Sequence, residues 1–204
     1  MSLVPTLFAF TLLAHAESPT ASVQTVESHY AAVKQMSATF TQVVKNPLYG
    51  DDTQTGTVQF SRPGKMRWTF TEDGKQYISD GQQLWIFVPE DQAAYHHASF
   101  DPGGTPQALL HSLDHLDKLF TVTAVAGAEA PTFDLIPKAD QGVVSIRLEL
   151  AKDLTVRRVT LRDAGDTVTE LTFTEVNLSP EIPEDIYRFT APAGVSVTEV
   201  GALQ

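Results

Sequence analysis

The chain contains no cysteine among its 204 residues. Disulfides are therefore excluded even in an oxidising compartment, and so are a cysteine nucleophile and a lipid attached through an N-terminal cysteine. Basic residues are scarce. Fourteen Lys and Arg against 25 Asp and Glu leave a formal net charge of -11, which disfavours nonspecific binding to nucleic acid or to an anionic membrane, since both require clustered cations. A long apolar run is missing too. The N-terminal stretch Leu3 to Ala14 covers about a dozen residues, too few to span a bilayer. It ends in Ala14-His15-Ala16, a small-x-small pattern typical of signal cleavage, and no Lys or Arg precedes it. The expected organisation is a cleaved signal peptide over 1–16 and a single exported, soluble domain over 17–204, large enough to form its core without disulfides or a structural metal. Phosphate-loop chemistry is excluded, because Gly64-Lys65 is followed by Met66 rather than Ser or Thr. No G-x-S-x-G elbow is present.

What is present is mostly strand pattern. Thr20 and Ser22 can cap a helix over 22–36, in which Val23, Val26, Tyr30 and Val33 recur at helical spacing. From Met36 the period changes to two, with Phe40, Gln42 and Val44 alternating with Thr41 and Val43. Further strand-like runs follow over 54–61, 65–72, 75–79 and 83–88, separated by Glu72-Asp73-Gly74-Lys75 and Ser79-Asp80-Gly81-Gln82. Asp-Gly at both turns predicts short hairpins in series. The stretch Asp101-Pro-Gly-Gly-Thr-Pro106 interrupts the pattern; Thr105 as cap and Pro106 as first helical residue then open a second helix. Its apolar face is Leu109, Leu110, Leu113, Leu116 and Phe120. Strands resume over 121–126, 131–136, 143–150, 155–163 and 167–175, and a Pro-rich tail carries a short closing strand near Tyr187 to Thr190. About ten or eleven antiparallel strands in one domain must curl strongly. The pattern predicts a curved half-barrel, mainly β with some α, whose apolar concave face is covered by a helical lid.

The segment FSRPGKMRWTF, residues 60–70, concentrates Arg62, Lys65 and Arg67 beside Phe60, Met66, Trp68 and Phe70. Pro63-Gly64 marks a turn. Beyond it Met66, Trp68 and Phe70 share one strand face, and Arg67 and Thr69 the other. Trp68, Phe70, Trp85 and Phe87 are either plain core or the lining of a cavity for an apolar ligand. Arg62 is either an exposed turn cation or a rim residue whose fork of donors bonds the open carbonyls of a lid. His111 and His115 have the spacing of a zinc pair, with Asp114 nearby, but both fall opposite the leucine stripe and read better as a solvated helix face; His96-His97 is no stronger. No catalytic constellation and no cofactor motif emerges.

Phe40-Thr41-Gln42, Arg62-Pro63, Arg67-Trp68, Ser79-Asp80-Gly81, Trp85-Ile86-Phe87 with Pro89, Thr105-Pro106, Pro137-Lys138-Ala139 and Phe189-Thr190-Ala191-Pro192, in this order, resemble the LolA family of periplasmic outer-membrane lipoprotein carriers. The resemblance covers essentially the whole expected mature chain. It implies an incomplete barrel with a helical lid and a non-enzymatic activity. Such a carrier accepts triacylated lipoproteins from an inner-membrane ABC transporter and passes them to an outer-membrane lipoprotein receptor, most simply as a monomer. By the same resemblance Arg62 matches the arginine that holds the unloaded lid closed. Trp68, Trp85 and Phe87 match positions of the family's aromatic sheet, while strand and helix periodicity add Phe70 to the cavity wall and Leu109, Leu110, Leu113 and Leu116 to the lid. Gln107 and Ala108 depart from the bulkier apolar residues expected there. A second function compatible with the same half-barrel is a sensor that reports mislocalised lipoprotein to a signalling partner; such regulators usually carry a second domain.

Overall fold

Helix α1, Val23–Ala32, begins where Ser22 Oγ accepts the Thr25 N–H at 3.2 Å. It is shorter than the sequence pattern suggests. Val33 is already extended and Gln35 opens β1, because from Met36 onward alternate side chains are buried and only a strand presents them to one face. The computed structural model describes residues 21–99, 106–139 and 142–201, and within these the side chains of 106–108 are not described. The expected signal segment 1–16, the cap Thr105, and the side chains of Gln107 and Ala108 lie outside the described residues.

Among the described residues, twelve strands form one open, curved sheet. Six follow in series: β1 Gln35–Asn46, β2 Gly50–Ser61, β3 Lys65–Phe70, β4 Gln76–Asp80, β5 Leu84–Val88 and β6 Ala93–His97. Gly74 and Gly81, with φ of 68° and 97°, supply the left-handed residues that the predicted Asp-Gly turns require. Helices α2, Pro106–Ser112, and α3, Leu116–Leu119, then lead to a second series: β7 Phe120–Ala124, β8 Thr132–Pro137, β9 Val143–Leu150, β10 Val156–Asp163 and β11 Val168–Asn177. Strand β11 returns to pair antiparallel with β1, so the two meanders join at the centre of the sheet. With a last strand, β12 Ser196–Val200, the spatial order is β12-β6-β5-β4-β3-β2-β1-β11-β10-β9-β8-β7.

Besides the shorter α1 and strand β6, for which the sequence pattern offers no run, three features differ from the sequence expectation. The second helix does not run unbroken to Phe120; it bends at Leu113–His115, and Phe120 is the first residue of β7. The tail near Tyr187 forms a 3-10 turn, Glu184–Tyr187, rather than a closing strand, since the Ile186 carbonyl accepts from Arg67 Nη1 at 2.7 Å instead of entering a ladder. The last strand lies further on: β12, Ser196–Val200, pairs parallel with β6, so the sheet is not wholly antiparallel.

Register sorts the side chains into two faces. Met36, Ala38 and Phe40 of β1 stand opposite Phe60, Val58 and Gly56 of β2, which stand opposite Met66, Trp68 and Phe70 of β3. Across the join, Phe173 and Leu171 continue this face to Val159, Leu148 and Phe133. These residues are buried, and they form one cluster with Val26, Tyr30 and the four leucines of the α2–α3 segment. All the described helices except the 3-10 turn thus contribute to the core on one face of the sheet.

Candidate functional site

Arg62 sits at the end of β2, where the Arg62-Pro63 peptide is cis and Gly64 adopts a φ of 68°. The turn is held from behind, since a Cβ on Gly81 would lie 2.5 Å from the Pro63 carbonyl oxygen. Every arm of the guanidinium is used. Nε donates to the Val33 carbonyl at 3.0 Å, Nη2 donates to the Tyr30 carbonyl at 3.2 Å, and Nη1 pairs with Asp114 Oδ2 at 2.8 Å. The two carbonyls lie at the C-terminal end of α1, where a helix runs short of donors; that of Tyr30 also accepts the Val33 N–H at 3.1 Å. The carboxylate belongs to the bend between α2 and α3. One side chain on the sheet therefore clasps both helical segments, a geometry suited to a fixed fork of donors and not to an ammonium.

The other cations of the same segment point elsewhere. Lys65 pairs with Glu184, and Arg67 donates to the Ile186 carbonyl and, through Nη2, to Gln76 Oε1 at 2.7 Å. Gln35 donates to the Ile182 carbonyl at 3.2 Å, and Ser61 Oγ lies 2.8 Å from the Tyr187 hydroxyl. The tail is thus bound to the back of the sheet, while Arg62 serves the front. Phe60 lies under Arg62, whose guanidinium is 5.6 Å from the ring centroid.

Trp68 and Phe70 occupy the helix-bearing face, each no more than 2% exposed. Phe40 packs on both, with ring centroids at 4.8 and 5.2 Å. Gly56 makes this possible, because a Cβ there would meet the Thr69 carbonyl oxygen at 2.1 Å and the Phe40 ring at 2.7 Å. Leu109, Leu110, Leu113 and Leu116 are buried in the same cluster. Tyr30 anchors α1 on the far side. Its hydroxyl donates to the Leu154 carbonyl and accepts from the Val156 N–H, both at 3.0 Å, and burial pushes its pKa up to about 12, so the phenol keeps its proton for both bonds.

Trp85 and Phe87 are not with them. Trp68 pairs in register with Tyr77, and Tyr77 with Ile86, so Ile86 continues the helix-bearing face while its neighbours Trp85 and Phe87 project from the opposite one. There both rings lean on Phe189 of the tail, with centroids at 5.2 and 5.4 Å, and Trp85 stacks on His96 at 4.1 Å. Elsewhere that face is charged: Arg147 forms a two-pronged pair with Asp134, and Arg158 lies between Glu149 and Glu170.

His111 also departs from the solvated helix face expected of it. Its ring packs edge-on against Phe60 at 4.4 Å, and its Nε2 is shut off from solvent. Burial first, then the nearby Arg62 charge, depress its pKa to about 4, with Asp114 opposing. His115 is exposed as expected, 3.6 Å from Asp114 Oδ2. Asp114 is the residue that sequence reasoning missed. It was visible only as a neighbour of two histidines, and its role depends on the helix bend that brings it to Arg62.

An open curved β-sheet with helices laid on one face defines the architectural class. A conserved protein of uncharacterised function from Thermus thermophilus has a crystal structure of this fold, with a TM-score of 0.53 at 13% identity over 86% of this chain and 94% of that one. Residues 31–190 match the family described as outer membrane lipoprotein carrier protein LolA, and the chain belongs to that family. Among curated relatives, an outer-membrane lipoprotein carrier protein from Nitrosomonas europaea is 35% identical over 147 residues, covering 70% of this chain and 71% of its own. One from Dechloromonas aromatica is 32% identical over 191 residues, covering 91% and 89%.

Proposed function

We propose that this protein is a periplasmic carrier that accepts triacylated lipoproteins from an inner-membrane ABC transporter, shelters their acyl chains, and delivers them to an outer-membrane receptor. In this reading the α2–α3 segment is a lid. The guest displaces Leu109, Leu110, Leu113 and Leu116 from Trp68, Phe70 and their neighbours. The observation that carries the proposal is the clasp: a fully used arginine on the sheet holds α1 and the α2–α3 bend over an apolar sheet face. A packed core needs no such device. A lid that must open does, because its closed state has to be stable when empty and reversible when loaded.

The energetics require both halves of this cycle. Each buried methylene contributes about 0.8 kcal/mol, so one sixteen-carbon chain costs on the order of 12 kcal/mol to expose to water. Unescorted cargo would aggregate or return to a membrane. Yet a carrier without fuel of its own must also release, and free energy favouring the empty closed state is subtracted from cargo affinity. Arg62 and Asp114 set that offset. No cofactor and no catalytic step are needed. Residues 1–16 act as the export signal in this account.

The test is to incubate the purified protein with inner-membrane vesicles carrying the transporter and a labelled lipoprotein, and to follow label into the supernatant. A stoichiometric soluble complex, identified by native mass spectrometry as protein plus acylated cargo, is the expected result. Label that stays with the vesicles, together with N-terminal sequencing that finds Met1 retained, would overturn the carrier function.

A further inference from the structure

Inside the clasp lies a titratable group that the carrier cycle described above does not use. His111 sits on α2 with its ring against Phe60, the aromatic that also lies beneath the Arg62 guanidinium. Its Nε2 is buried and has no hydrogen-bond partner among the described residues. Asp114, one turn further along, gives Oδ2 to Arg62, and its Oδ1 is likewise buried with no partner among the described residues. Among the described residues, the charged and titratable groups around the ring are Arg62 from the β2–β3 turn and Asp114 from the α2–α3 bend, with His115 3.6 Å from the same carboxylate. A neutral imidazole fits this place as an apolar plate. A protonated one does not, because burial strips its charge of solvent and because it sets a second cation beside Arg62, with which it then competes for the charge of the Asp114 carboxylate.

We infer that His111 is a proton-operated release for the clasp: protonation of its imidazole unseats α2 from Phe60, loosens Arg62 from Asp114, and opens the α2–α3 segment toward acyl guests. The inference rests on the lid reading proposed above. Its sign follows from linkage. The closed state holds the His111 pKa near 4, below the ordinary value of 6.5 that the group regains when released. Closure therefore has its full stability above about pH 6.5 and loses it as pH falls toward 4. Between pH 7 and pH 5 the closed-to-open ratio is expected to fall roughly twentyfold.

The experiment measures binding of N-phenyl-1-naphthylamine, an uncharged fluorescent probe, to the empty full-length protein from pH 5 to pH 8, with circular dichroism confirming an intact fold throughout. Affinity in the wild-type protein should rise roughly twentyfold from pH 7 to pH 5. It should be nearly flat in His111→Gln and in His111→Phe, two variants that differ in how well they fill the site. A flat wild-type profile, an unchanged slope in either folded His111 variant, or a slope that vanishes in His115→Gln instead would overturn the inference. Absence of probe binding at every pH would strike the lid reading itself, whereas binding without a pH slope strikes only the role of His111.

Discussion

Arg62 engages two main-chain carbonyls and one carboxylate, so its loss removes three contacts at once and leaves the apolar face untouched. One hydrogen bond to a charged group contributes about 1.5–3 kcal/mol, and a net loss equal to a single such bond from the closed state should already raise cargo retention by roughly ten- to a hundredfold. Arg62→Leu is expected to accept lipoprotein from vesicles normally and to fail in transfer to purified receptor, when the two steps are measured separately. Arg62→Lys should resemble it, because an ammonium cannot reach all three acceptors in their fixed directions. Gly56 is tested by stability instead of transport. Gly56→Ala forces a Cβ against the Thr69 carbonyl and the Phe40 ring, and overpacking of this kind costs about 1–3 kcal/mol, to be read as a lowered denaturant midpoint. Much of the residue-level picture was legible in the sequence. Period-two alternation put Met66, Trp68 and Phe70 on one face, and the family resemblance singled out Arg62. Which helix supplies the carbonyls it binds was not legible; they lie at the end of α1, and the identity of an acceptor depends on where a helix ends.

Among the elements, α1 is held at both sides of its C-terminal end, by Arg62 through main-chain carbonyls and by the Tyr30 hydroxyl on the β9–β10 connection. Tyr30→Phe removes both hydroxyl bonds and leaves the Val156 N–H buried, a loss of about 1–3 kcal/mol. Tm should drop by roughly 2–4 °C per kcal/mol lost for a chain of this size, measured by differential scanning calorimetry. The tail is the second removable element. Arg67→Ala should loosen the 3-10 turn Glu184–Tyr187, which Lys65, Ser61 and, through Ile182 just before it, Gln35 still tie to the back of the sheet, and should speed limited trypsin cleavage at Arg188, leaving probe binding on the helix-bearing face unchanged. Elements also mark where sequence reading stopped. Alternation within a strand is fixed by the pleat, but the phase between strands is set by each turn, and a one-residue difference moves a whole set of side chains to the other face. The family resemblance placed Trp85 and Phe87 with Trp68, and the β3–β4–β5 register separates them. Strand β12 was hidden for another reason, since its partner β6 is about a hundred residues away and its pairing is parallel.

At the scale of the whole molecule, the sheet presents two chemically different faces. One is lined by Phe40, Phe60, Trp68, Phe70 and Phe173 and covered by helices, and the other carries ion pairs together with an aromatic patch under the tail. The proposed carrier cycle needs only the first of these to meet acyl chains, with the helices moving and the sheet staying rigid. Leu113→Asp, which buries an unpaired charge in the closed state, should abolish acyl uptake or unfold the protein. Unchanged Tm with unchanged uptake would remove the α2–α3 segment from the site. The most direct measurement places photoreactive p-benzoylphenylalanine at Phe70, at Leu113 or at Phe87, loads each protein from vesicles with lipoprotein carrying labelled acyl chains, and irradiates the soluble complex. Labelled adducts from positions 70 and 113 and none from position 87 are the predicted outcome; an adduct from position 87 with none from position 70 would contradict the account.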